Sequence, residues 1–128
     1  MGVIPCSSTI TTESGTVIMT TFSPLNNTFT ITINPSSPLV TFCIDLPCVS
    51  FGDFTCTDGF ACEGICTTAP GGNGIGANPL QTTATPLSFT YTFNSSVTLT
   101  AGAASANFLY SNGTSDSNVQ LPCAPVCS

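Results

Sequence analysis

Eight cysteines are the residues of this sequence with the widest choice of chemistry. Two pairs, one ending at Cys66 and the other at Cys127, have the spacing C-x3-C, and Cys43 begins a C-x4-C pair. A structural zinc site usually takes its ligands from C-x2-C pairs or histidines, and this sequence has neither. An even and high number of cysteines is instead typical of disulfides formed in an oxidising compartment. The cysteines therefore predict disulfide bonds rather than metal, and an extracellular location.

The positions of the cysteines divide them into two groups but leave their pairing open. Five lie within one stretch and are candidates for intrachain disulfides: Cys43, Cys48, Cys56, Cys62 and Cys66. Because five is an odd number, at least one of them pairs with a cysteine near a chain end or stays free. The end segments either fold back on their own domain or reach a neighbouring copy. The second alternative makes three cysteines candidates for inter-subunit disulfides: Cys6, Cys123 and Cys127.

The charged side chains are all acidic, since the chain has no Lys, Arg or His. They are Glu13, Asp45, Asp53, Asp58, Glu63 and Asp116. Without cations the chain cannot neutralise phosphates, which argues against nucleic acid and anionic membranes as partners. The chain also lacks a run of about 20 apolar residues, so we predict no membrane insertion. No His or Lys is available to activate a nucleophile, so we predict no enzyme and no cofactor. Asp53, Asp58 and Glu63 either share a Ca²⁺ or are solvated loop acids, and the EF-hand spacing is absent.

The segments that must position these residues have the alternating pattern of β-strands. In Leu87–Phe93 large apolar side chains alternate with Ser and Thr, and the alternation resumes in Val97–Thr100 after Asn94-Ser95-Ser96. A period of two places apolar side chains on one face of a strand and hydroxyls on the other. The turn-forming tripeptide predicts that the two segments form a hairpin, around which the other strands pack.

The rest of the chain predicts an all-β fold. Further strands are predicted at Thr9–Thr12, Thr16–Phe22, Thr28–Ile33, Leu39–Ile44, Asn107–Tyr110 and Val119–Leu121, and Ala101–Ala106 is predicted as a loop of small residues. No segment has a sustained helical period, so we expect an antiparallel β-sandwich of jelly-roll or Greek-key type. We divide the chain into an N-terminal arm (1–8), a sandwich domain (9–121) with a Cys- and Gly-rich loop (45–79), and a Cys-containing tail (122–128). Within that loop, the glycine run 71–76 lacks the Lys and the following helix of a phosphate-binding loop, and it is predicted to be a flexible surface loop.

Exposed hydroxyls and sequons offer two further kinds of surface chemistry. Thr28, Thr30 and Thr32 would form a row of hydroxyls on one strand face, which suits either ice binding or the ordinary polar face of a sandwich. Three sequons fall in predicted turns and are candidates for N-glycosylation, at Asn26, Asn94 and Asn112.

Two segments of the chain resemble a known family of fibre proteins. Ser88-Phe89-Thr90 and Val97-Thr98-Leu99, followed by an Ala/Gly-rich connection and Asn107–Tyr110, resemble the C-terminal half of the endospore appendage subunits that form the Ena fibres of spore-forming bacilli. Met1–Ser8, with Cys6, resembles the cysteine-bearing connector with which those subunits begin. The resemblance implies a jelly roll, subunits stacked by lateral strand pairing, and connector cysteines bonded to other subunits. The chain departs from the family in having one connector cysteine rather than a cluster, in its additional Cys43–Cys66 loop, and in strands that lack basic residues.

The composition, the strands and the resemblance lead to two functional hypotheses. The first is a structural subunit that assembles with copies of itself into an extracellular or spore-surface filament, through strand pairing and inter-subunit disulfides. The alternative is a monomeric, disulfide-stapled secreted binding module of the adhesin or ice-binding type. The first hypothesis requires multi-copy assemblies, and the second requires single chains.

Overall fold

A computed structural model describes residues 5–50, 52–57, 62–77 and 86–128. In these ranges the chain forms strands and no helix, and hence no helix long and apolar enough to cross a membrane. The ten strands are β1 (Cys6–Thr11), β2 (Val17–Ser23), β3 (Thr28–Asn34), β4 (Leu39–Asp45), β5 (Phe54–Cys56), β6 (Cys62–Ala69), β7 (Gly72–Ala77), β8 (Leu87–Phe93), β9 (Leu99–Tyr110) and β10 (Ser115–Cys127).

The strands form two antiparallel sheets of five, which stack as a sandwich. Sheet A has the order β1-β2-β3-β8-β5 and sheet B the order β10-β9-β4-β7-β6. The pairs β3–β8 and β4–β7 join strands that are distant in the chain, because the chain crosses repeatedly between the sheets. Such connections are of the Greek-key type. The predicted all-β sandwich is confirmed.

The core lies between the sheets, and the alternation in each strand decides which side chains enter it. In β3 the apolar residues Phe29, Ile31 and Ile33 are fully buried, while the threonines between them face outward. The two sheets meet at Phe42 of β4 and Phe89 of β8, whose ring centroids are 5.5 Å apart. Burying a side chain of this size stabilises the fold by about 2–3 kcal/mol.

Four strands were predicted with nearly correct bounds. β3 and β8 follow from the alternation of large apolar residues with Ser and Thr, whereas β4 follows from a nearly continuous apolar run. β2, β3, β4 and β8 each begin and end within one residue of the predicted bounds.

The predicted hairpin between Leu87–Phe93 and Val97–Thr100 is wrong. β8 lies in sheet A, whereas β9 lies in sheet B, so the connection between them crosses the sandwich. β9 also runs through Ala101–Ala106, which we predicted to be a loop. Alanines at 104 and 106 are buried there, and small residues in a strand lack the contrast on which the prediction depended.

The predicted loop at 45–79 contains three strands, β5, β6 and β7. The glycine run that we expected to be flexible forms β7, which pairs with both β4 and β6. A Cβ atom at Gly76 would lie 2.0 Å from the carbonyl oxygen of Phe42, and one at Gly74 would lie 1.7 Å from that of Ile44. The glycines therefore allow a close approach of two strands, which the sequence pattern alone did not distinguish from a flexible loop.

Both predicted end segments belong to the sheets where the structure describes them. Cys6–Ser8 opens β1, and residues 122–127 complete β10, so these strands extend past the predicted boundaries at residues 8 and 121. Residues 1–4 lie outside the described part of the chain. β10 packs over β1 and β2, and this contact brings the two ends of the chain together.

Candidate functional site at the sheet edges

The disulfides join segments that are far apart in the sequence. Cys6 bonds Cys123 with a Cα–Cα distance of 5.7 Å, and Cys48 bonds Cys127 at 5.9 Å. Cys6, Cys123 and Cys127, the candidates for inter-subunit disulfides, are thus bonded within one chain. The reason is the stacking of β10 over β1, which places the terminal cysteines beside partners in their own subunit. The alternative in which the ends fold back is the one observed.

The intrachain candidates Cys43 and Cys66 bond each other, and Cys48 pairs with a terminal cysteine instead of a local one. Cys56 is disulfide-bonded as well, whereas the side chain of Cys62 lies outside the described residues. The Cys43–Cys66 bond joins β4 to β6 across β7, with a Cα–Cα distance of 6.0 Å. Strands that flank a third are ordinarily about 9.6 Å apart. The glycines of β7 leave the space in which this bond forms.

A buried carboxylate holds the edges of the two sheets together at the end of β10 opposite Cys123 and Cys127. Asp116 of β10 is 8% exposed. Its Oδ2 accepts hydrogen bonds from Thr12 Oγ1 at 2.8 Å, Ser14 Oγ at 2.5 Å and the Tyr110 hydroxyl at 2.6 Å. The buried Thr16 hydroxyl lies 2.6 Å from the same tyrosine oxygen. One carboxylate therefore ties the β1–β2 turn to β9 and β10 without any cation.

The hydrogen bonds determine the charge state of this cluster. Burial favours the neutral acid, but the hydroxyls of Ser14, Tyr110 and Thr12 donate to the carboxylate and hold the pKa of Asp116 below its ordinary value. Burial and the hydrogen bond to Asp116 raise the pKa of Tyr110. Three hydroxyls already occupy the carboxylate oxygen, so the cluster fastens structural elements rather than serving as a general base.

Replacing Asp116 by Asn is expected to lower the free energy of unfolding at pH 7 by about 2 kcal/mol, because charge-assisted hydrogen bonds are lost. Since the folded-state pKa lies below the unfolded one, the contribution is complete above about pH 4 and fades as the pH falls through the folded pKa. Urea unfolding of both proteins at pH 7 and at acid pH measures the difference in the free energy of unfolding. Glu13→Gln, an exposed acid of the same turn, is the control and should be near neutral. An Asp116→Asn protein as stable as wild type at pH 7 would contradict the argument.

Sequence reasoning missed this cluster. Its members lie up to 104 residues apart, and a single Asp among serines carries no periodic signal. Only the packing of both sheets at one edge brings the hydroxyls to Asp116.

The edges of the sheets differ in how readily they could pair with another strand. β10, the edge of sheet B, has register shifts after Asp116 and after Leu121, and it contains Pro122 and Pro125. Bulges and prolines interrupt edge hydrogen bonding, so β10 is protected against pairing. On the other side of the sandwich, β6 has two register shifts against β7, and β5 is three residues long.

β1, the edge of sheet A, has none of these interruptions. Its six residues pair with β2 in one continuous register from Cys6 to Thr11. It contains no proline, no bulge and no charged residue. As the terminal strand of its sheet, it directs half of its backbone N–H and C=O groups away from β2.

The outer face of sheet A is covered by hydroxyls. Three rows run across the strands: Ser7, Thr21, Thr30 and Thr90; Thr9, Met19, Thr32 and Ser88; Ser23, Thr28, Thr92 and Thr55. Hydrogen bonds between neighbouring strands link Thr30 to Thr90 and Thr32 to Ser88, each at 3.2 Å. The predicted row on β3 is therefore one strand of a larger uncharged face.

The remaining predicted sites lie apart from these edges. Asn26, Asn94 and Asn112 are exposed in turns, as predicted, and their glycosylation stays a prediction. Of the acids considered for Ca²⁺, Asp53 accepts a hydrogen bond from the Ser50 N–H, while Asp58 and the side chain of Glu63 lie outside the described residues. Within the described ranges no three metal-ligating side chains come together.

Neither protein-family models, nor curated proteins, nor solved structures match this chain. The fold and the covalent bonds define a disulfide-stapled, all-β sandwich. The three disulfides that join described residues, in so small a protein, are typical of secreted and extracellular proteins. The resemblance to endospore appendage subunits stays a prediction.

Proposed function

We propose that this protein is a structural subunit that assembles with copies of itself outside the cell by pairing the edges of its sheets. The observation that carries the proposal is the regular and uncharged edge of β1, residues Cys6–Thr11. Natural sandwiches usually protect such an edge with a charge, a proline or a bulge, as β10 does here. Because the β1 edge is unprotected and the β10 edge is protected, we expect copies to pair at β1.

The character of the surface supports the same function. The outer face of sheet A contains hydroxyls with Met19, Val17 and Asn34 and no charged side chain on its strands, so neighbouring copies meet no fixed charge along β1. The only charged residue of the adjoining β1–β2 turn is Glu13. Edge pairing supplies backbone hydrogen bonds without requiring the desolvation of ions.

The disulfides have a different role from the one expected from the sequence. Cys6, Cys123 and Cys127 close their own subunit, so they stabilise the unit that assembles rather than the contact between units. Strand pairing is then the contact that joins the copies. A six-residue strand pair is small, so a filament or coat at the cell or spore surface requires this contact together with further contacts between the joined copies.

Sedimentation of the oxidised protein over a range of concentrations tests the proposal. Wild type is expected to form species larger than one chain. Ser7→Asp/Thr9→Asp should weaken association by about tenfold or more per contact, equivalent to about 1.4 kcal/mol, because it places carboxylates along the pairing edge. Thr21→Asp/Thr92→Asp adds the same charge to exposed sites on the same face, away from the edge, and should associate nearly as wild type does.

Two results would contradict the proposal. Equal weakening in both variants would show that net charge, and not the β1 edge, controls association. A wild-type protein that stays a single chain at every concentration would favour the monomeric binding module.

A further inference from the structure

We infer that two copies join β1 to β1 in an antiparallel arrangement with a two-fold axis at Ser8, which merges their A sheets into one ten-stranded sheet. This inference rests on the proposed function and specifies its contact. The occupant of the edge is a second copy of the same strand, because the free N–H and C=O groups of an edge require a partner with the same spacing. A strand that pairs with itself forms an isologous contact, which closes at two copies, so a filament requires a second contact between such dimers at another surface.

The alternation of side chains restricts the register. Cys6, Ser8 and Ile10 point toward the core side and are half-buried, whereas Ser7, Thr9 and Thr11 are exposed on the outer face. Residues that oppose each other in an antiparallel pair share a face, so a register that mixes the two sets is excluded. Two-fold axes at Ser8 and at Thr9 both satisfy this condition.

The axis at Ser8 gives the better matched pairs. It places Ile10 opposite Cys6 of the second copy on the core side, and Thr9 opposite Ser7 on the outer face. The hydroxyl row that contains Ser7 then continues into the row that contains Thr9 of the second copy. The axis at Thr9 would instead place Ile10 opposite Ser8, whose hydroxyl is bonded to Thr20 Oγ1 at 2.8 Å. The axis at Thr9 would also place Ser7 opposite Thr11 of the second copy. The residue beside Thr11 on β2 is Val17, so the row of hydroxyls would end there.

The surroundings of β1 leave room for the second copy. β10 packs over both β1 and β2 rather than beyond β1, so β1 forms the outer margin of its sheet. A groove of about 410 Å³ separates the C-terminal end of β1 from β10, with Ile10, Glu13 and Val119 among its lining residues.

Charge does not oppose this contact. Glu13 is the exposed acid closest to β1 in the chain. With the axis at Ser8, the two Thr11 residues, at which β1 ends, lie six positions or about 20 Å apart, and each Glu13 lies beyond its Thr11 in the turn. This separation exceeds the Debye length of about 8 Å at physiological ionic strength, so their repulsion is screened.

Cross-linking between two cysteine variants tests the register. Ser7→Cys and Thr9→Cys proteins are prepared separately, mixed and oxidised; opposed Cα atoms in an antiparallel pair lie about 4.5–5.5 Å apart, within disulfide range. The mixture is expected to yield about tenfold more covalent dimer on a non-reducing gel than either variant alone. Both sites are on the outer face, opposite in orientation to the half-buried Cys6. Thr21→Cys, exposed on β2, is the matched control and should yield no dimer with either variant.

Each other outcome overturns the inference in a recognisable way. Dimers from Thr9→Cys alone would place the axis at Thr9. No dimer from the mixture, while wild type assembles, would refute β1–β1 pairing and leave the proposed function intact. If wild type does not assemble, the proposed function fails together with the inference. Unchanged unfolding midpoints and peptide masses of the native disulfides verify that each variant is folded.

Discussion

Replacing Cys6 and Cys123 together by alanine is expected to lower the free energy of unfolding by about 5 kcal/mol. This bond joins residues 117 positions apart, and it connects the edge of sheet A to the edge of sheet B. A covalent link that closes so long a loop removes much of the conformational freedom of the unfolded chain. Because small domains are stable by about 5–15 kcal/mol, the variant should be partly unfolded at 37 °C. Urea unfolding of the oxidised proteins measures the difference.

Full reduction supplies the control for this prediction. With all disulfides reduced, wild type and Cys6→Ala/Cys123→Ala should differ by about 1 kcal/mol or less, since the bond is then absent from both proteins. An oxidised variant that unfolds at the same urea concentration as wild type would show that β10 holds β1 without the bond. A difference that persists after reduction would assign the effect to packing of the two side chains.

Gly76→Ala is expected to destabilise the fold by about 3 kcal/mol or prevent folding, because a Cβ at this position would lie 2.0 Å from the Phe42 carbonyl oxygen. Neither group is a flexible side chain, so β4 and β7 would have to separate. Cys43, which lies opposite Gly76, would then be displaced from its partner Cys66. Thermal unfolding and the mass of the Cys43–Cys66 disulfide peptide measure both consequences.

Gly102→Ala is the matched control for Gly76→Ala. Gly102 lies in β9 of the same sheet, and the closest atom to its added Cβ is a methyl of Val126 at 3.1 Å. A side chain of this kind can shift, so the expected loss is about 1 kcal/mol or less. Equal effects at the two glycines would contradict the view that β7 requires glycine for its approach to β4.

The parts of the fold that could be predicted from the sequence are those where large apolar residues and hydroxyls alternate. The alternation in β3 predicts both the strand and its buried face, which contains Phe29, Ile31 and Ile33. β7 gives no such signal, because glycine is as typical of loops as of strands in close contact. β9 also gave a weak signal, since its centre is built from alanine and glycine.

The pairing of distant residues could not be predicted by any local pattern. Cys6 lies beside Cys123 only because β10 returns over β1, and the number of cysteines is compatible with many pairings. The cluster at Asp116 depends on the same return of the chain. Which edge is protected also required the structure, because the bulges of β10 exist only relative to β9.

The central claim is that copies of this sandwich join by strand pairing at an uncharged edge. Negative-stain imaging of the purified, oxidised protein tests this claim most directly, because it displays the association itself. Repeating multi-copy assemblies in wild type, absent from Ser7→Asp/Thr9→Asp, are the expected result. A field of separate particles of single-chain size, identical in both proteins, would contradict the account.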